Sequence, residues 1–64
     1  MKLSKRPLEL LQHCADGFTV IQAAEAMGLS KYTVMQYAVN VKIKLDASTM
    51  TQAVAIAIRE GFIE

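Results

Sequence analysis

Between Ser30 and Lys44 the chain places Ser30, Lys31, Tyr32, Thr33, Gln36, Tyr37, Asn40 and Lys42, with Met35 and Val39 set among them. No hydroxyl or thiol here has the base and orienting group that a nucleophile needs. The chemistry on offer is recognition. Gln36 can form a bidentate pair with adenine, and Met35 and Val39, one turn apart, can pack against thymine methyls. A good bidentate pair discriminates between bases by about 1–3 kcal/mol. Lys31, Tyr32, Thr33 and Tyr37 offer groups to phosphates, and Lys42 can reach the backbone of a duplex. Thr19, upstream, marks a helix start whose free backbone N–H groups suit a phosphate. Each has a plainer reading. Tyr37 borders an apolar stripe and can pack internally, single exposed Met or Val residues are common, and an isolated Lys is often only solvated.

The elements that hold these groups are marked by their punctuation. Helix 1 is expected from about Pro7 to Ala15, because proline suits a first turn and disfavours helical geometry in the residue before it. Its apolar face is Leu8, Leu11 and the Leu10/Cys14 pair, and Gly17 ends it. Helix 2 starts at Thr19, which with Gln22 makes a capping box. Ile21, Ala24 and Met27 share a face, flanked by Val20 and Ala23, and Gly28 stops the helix. Ser30 caps helix 3, whose buried stripe is Val34, Ala38, Val41 and Leu45 at helical spacing. The opposite side carries Lys31, Tyr32, Met35, Gln36, Val39 and Asn40, with Lys42 and Ile43 at its margins. Helix 4 begins near Ser48 or Thr49, where Thr49 with Gln52 makes a second capping box, and runs to about Glu60, where Gly61 ends it. Its core, Ala53 to Ile58, is six successive apolar residues covering every side, so part of it is expected to bury against another chain.

Helices 2 and 3, joined by a three-residue turn containing Gly28, predict a helix-turn-helix. This geometry pushes the second helix into the major groove of DNA. The net charge is only +1, yet three of the seven bases, Lys31, Lys42 and Lys44, fall on helix 3, which carries no acid. Sixty-four residues make one domain, residues 1–64, of marginal stability, which a partner copy would support. The single Cys14 excludes an internal disulfide. No apolar run approaches the ~18 residues of a membrane span, and no export signal is visible, so a cytoplasmic protein is expected. His13 and Cys14 project about 100° apart on a helix, which reads as a core cysteine beside a surface histidine. No paired carboxylates, phosphate-cradling glycine loop or metal-ligand spacing is present. No catalytic residue, cofactor or metal is expected, and the chain does not read as an enzyme.

The ordered series of residues resembles the LuxR-type (GerE-type) DNA-binding domain of bacterial transcription regulators. It comprises Leu3-Ser4-Lys5-Arg6 with Glu9, Ala15-Asp16-Gly17-Phe18-Thr19, Ala24, Gly28-Leu29-Ser30, Thr33-Val34, Asn40, Lys44-Leu45, and Thr51-Gln52-Ala53-Val54 ending in Gly61-Phe62-Ile63. The resemblance spans nearly the whole chain. It implies an all-α, four-helix domain with helices 2 and 3 as the helix-turn-helix and helix 4 pairing with its two-fold mate on a near-palindromic site. Domains of this family usually sit at the C-terminus of a longer regulator, behind a pheromone-binding or phosphate-receiver domain, and a few stand alone. The chain departs from the family pattern at Pro7, Ile21, Met35, Tyr37, Val39, Asp46 and near Met50, and several of these positions are commonly cationic or His.

The expected DNA-contacting residues are therefore Thr19, Ser30, Lys31, Tyr32, Thr33, Met35, Gln36, Tyr37, Val39, Asn40 and Lys42. The expected dimer interface is Ala53, Ile56, Ala57 and Ile58. The expected partner is double-stranded DNA, bound by a homodimer. The alternative is a protein-interaction module on the same fold, docking on another regulator, or inhibiting it, through Met35, Val39 and Ile43.

Overall fold

The computed structural model describes residues 3–64. They form four helices: α1 (Lys5–Ala15), α2 (Val20–Met27), α3 (Lys31–Lys44) and α4 (Met50–Arg59). α1 and α3 each pack against both α2 and α4. No strand occurs among the described residues.

α1 starts two residues earlier than its proline suggests. Ser4 is the N-cap, in extended geometry, and Pro7 is the third helical residue. The first backbone bond of the helix runs from the Leu8 N–H to the Ser4 carbonyl, 3.1 Å. An N–H at position 7 would have no intrahelical partner, so proline forfeits nothing there. Leu10 and Leu11 are fully buried on adjacent sides of α1. Leu10 joins Ala23, Ala24, Val34 and Ala38 in one core cluster. Leu11 joins Leu3, Val41, Leu45, Ala53, Ala57 and Ile63 in the other. α1 is thus the divide between two small cores.

The Thr19 capping box forms as its residues predict. The Thr19 hydroxyl accepts the Gln22 N–H at 3.1 Å, and the Gln22 amide oxygen accepts the Thr19 N–H at 2.9 Å. Thr19→Ala should lower stability by about 1 kcal/mol, read as a shift in the urea midpoint. A shift near zero would mean that water replaces the cap. α2 buries Ala23 and Ala24, half-buries Val20 and Met27, and leaves Ile21 exposed. The apolar face is one residue off the expected one: the spacing from Val20 (20, 23, 24, 27) seats the small alanines on α1 and α3 and turns Ile21 out.

Gly28 closes α2 in the left-handed conformation with φ 69°. Leu29 then packs into the core, and the Ser30 hydroxyl accepts the Thr33 N–H at 3.2 Å to start α3. Val34, Ala38, Val41 and Leu45 are all buried, so the stripe read from the sequence is the core-facing side of α3. After α3 the chain turns through Asp46, a non-glycine residue with φ 54°, where the short polar side chain tolerates the left-handed region.

The second capping box is only half realised. The Thr49 hydroxyl accepts the Gln52 N–H at 3.0 Å, but the Gln52 oxygen accepts from the Ser48 N–H at 2.7 Å. The bend at Ser48–Thr49 brings that earlier N–H over the first turn. At the far end, the Gln12 amide donates to the Glu64 carbonyl at 2.9 Å and accepts the Glu64 N–H at 3.3 Å. This pairing pins the C-terminal segment, with buried Ile63, to α1.

Candidate nucleic-acid interface

α3 is held by its buried stripe, and the side away from the core is free. Lys31, Tyr32, Thr33, Met35, Gln36, Val39, Asn40 and Ile43 are exposed, as are Thr19 and Ser30. Gln36 and Asn40 make no side-chain hydrogen bond among the described residues, so their amides are available to a ligand. The Ser30 hydroxyl donates to the Thr33 hydroxyl at 3.0 Å. The Lys31 ammonium lies 5.4 Å from the centre of the Tyr32 ring, a cation–π placement that fixes both near the start of α3.

Two expected contacts are less open. Tyr37 is half-buried, its ring packed against the Leu10–Val34 cluster; core contact claims that ring because it borders Val34 and Ala38 on the helix. Lys42 is half-buried and lines the same groove as Met35, Gln36 and Val39. Ile21 joins this groove from α2, although the sequence reading placed it on the buried face of that helix. The helical phase set by Ala23 and Ala24 was the signal that would have found it.

The electrostatics of the face are weakly positive. Lys31, Lys42 and Lys44 sit on α3 with no carboxylate on that helix. The described residues hold one ion pair, Arg6–Glu9 at 3.3 Å on α1, so the α3 lysines are not neutralised by neighbours.

The expected interface on α4 requires a correction. Ala53 and Ala57 are fully buried in the chain's own core, leaving no surface for a partner. Ile56 is half-buried against the same core. Ile58 remains 48% exposed and lies with exposed Thr51 and Ala55 on the outward side, beside half-buried Val54.

No group of three or more metal-ligating side chains occurs among the described residues, and no helix is long and apolar enough to cross a membrane. His13, expected at the surface, is half-buried. Its Nδ1–H donates to the Glu9 carbonyl at 2.7 Å, and its ring meets Phe18 edge-on at 5.3 Å. Cys14 packs against the core, and burial pushes its thiol pKa up, away from the reactive thiolate. The pair is structural.

Two capped helices around a glycine turn, with the second presenting its outer side, define a helix-turn-helix domain of the DNA-binding class. Comparison with known proteins gives the family. The family described as "Bacterial regulatory proteins, luxR family" (GerE) matches residues 1–57, and the chain belongs to it. The quorum sensing-dependent transcriptional regulator VjbR of Brucella abortus is 39% identical over 97% of the chain, which covers 24% of VjbR. The transcriptional activator RamA of Corynebacterium glutamicum is 45% identical over 94% of the chain and 21% of RamA. The transcriptional regulatory protein DegU of Brevibacillus brevis is 32% identical over 97% of the chain and 26% of its own length. The chain thus spans about a quarter of the length of these relatives. The solved structure of the transcription factor GerE superposes with a TM-score of 0.89 at 24% identity, covering 97% of this chain and 92% of that one. The four-helix architecture is therefore that of GerE.

Proposed function

We propose that the chain is the DNA-binding module of a bacterial transcription regulator. It seats α3 in the major groove of a near-palindromic promoter site and acts as a homodimer. The observation that carries this reading is the exposed side of α3, with Gln36 and Asn40 unengaged, on a helix that carries Lys31, Lys42 and Lys44 and no acid. The two-fold contact runs through the outward side of α4, centred on Ile58 with Thr51 and Ala55. In a longer, cytoplasmic regulator a sensor domain precedes the module.

The test is the salt dependence of binding to mixed-sequence duplex DNA, followed by fluorescence anisotropy. A log–log slope of about −0.9 per neutralised phosphate is expected. Three lysines on each of two α3 helices bound it at about −5, and a value between about −3 and −5 is expected. No binding at low salt, even by a covalently joined pair of chains, would sink the reading. One observation favours a second reading. Ile43, 72% exposed, extends the apolar margin of α3 beside Val39, as a surface docking on another regulator would need. Under that reading, association with the protein partner would be largely insensitive to salt.

A further inference from the structure

Three exposed apolar side chains from two helices converge beside Gln36. Ile21, Met35 and Val39 are 56%, 50% and 43% exposed. They line one open groove between α2 and α3, together with Gln36 and Lys42. Ile21 is distant from the other two in sequence, so the tertiary fold assembles the patch. No carboxylate lines the groove.

We propose that this groove reads thymine. The C5-methyl groups of an A·T-rich half-site seat against Met35 and Val39, Ile21 shuts water out from the side, and Gln36 pairs with a neighbouring adenine. The proposal rests on the DNA-binding reading above and narrows it to a base composition. In the major groove thymine alone presents a methyl; the other distinguishing groups there are donors or acceptors. A G·C pair would press its amino and carbonyl groups against Met35 and Val39 and leave them unpaired, which is costly once water is excluded. Gln36 favours adenine on separate grounds, so both kinds of contact select the same base pair.

A protein occupant fits the patch less well. A stable protein contact takes about 800 Å² from each side, about a fifth of the 4142 Å² surface of this chain. The centre of such a contact is depleted in charge. Here three apolar side chains already meet Gln36 and Lys42 within the groove, and exposed Asn40 stands on the same helix. Small apolar contacts set among amides and cations suit a helix reading base edges.

The experiment selects binders of the 64-residue chain from random-sequence duplexes. It then compares the enriched duplex with the same duplex carrying deoxyuridine in place of thymine. The enriched half-site should be A·T-rich. Removing its methyls should weaken binding about fourfold for each methyl buried. The double variant Met35→Ala/Val39→Ala, checked for native helix content by circular dichroism, should bind thymine and deoxyuridine duplexes equally. Equal binding of both duplexes by the unaltered chain would overturn the thymine proposal and leave the DNA reading standing. Failure to bind any duplex at low salt, even by a covalently joined pair of chains, would overturn both.

Discussion

Leu11→Ala should remove half or more of the stability of the chain. A buried Leu→Ala change costs about 2–5 kcal/mol. At about 0.05–0.15 kcal/mol per residue, a chain of 64 residues holds roughly 3–10 kcal/mol in total. Leu11 belongs at the severe end of the range. It is fully buried, and its cluster draws on α1, α3, α4 and the C-terminal segment. The fully buried α4 members of that cluster are Ala53 and Ala57, whose methyl groups cannot extend into the void. The cavity therefore stays open, and its cost adds to the lost transfer energy. Urea titration followed by circular dichroism would show a midpoint lowered by about 3 M, for a slope near 1.5 kcal/mol per molar. A loss under about 1 kcal/mol would mean that the core around Leu11 relaxes freely to fill the space.

In the proposed homodimer, Ile58→Glu should separate the two copies while leaving each one folded. Ile58 faces outward from α4, and a surface substitution of this kind changes stability by less than about 0.5 kcal/mol. Across a two-fold axis, however, the same position meets its own copy or a close neighbour. Two carboxylates would then be brought together in an apolar contact, where each lacks a partner. Sedimentation should report a monomer at concentrations where the unaltered chain pairs. Affinity for a duplex with two half-sites should fall by about 10² or more, since joining two modules supplies a gain of that order. Affinity for a single half-site should hold. Ile56→Glu provides the contrast: its side chain packs on the core, so that variant should lose thermal stability. A persistent Ile58→Glu dimer would remove α4 from the interface.

Much of this architecture is written in neighbouring residues. Thr19, Gln22, Gly28 and Ser30 set the bounds of α2 and the start of α3 through bonds that span three or four positions. The Val34–Ala38–Val41–Leu45 stripe fixed which side of α3 is buried, and hence which side reaches a ligand. Pro7 misled because a missing N–H is harmless anywhere in a first turn, so the start of α1 went to Ser4.

The sequence by itself determined four helices, the helix-turn-helix and the outward side of α3, because caps and periodicity act between residues close along the chain. Only the tertiary structure decided the facing of α4 and the place of Ile21. Six successive apolar residues from Ala53 to Ile58 offer no polar side to choose by. The choice fell to packing: Ala53 and Ala57 let α4 come close to Leu11 and Val41, and the larger Ile58 was left outside. Ile21 was turned out for the same reason, since Ala23 and Ala24 are the side chains small enough to fit against Leu10 and Val34.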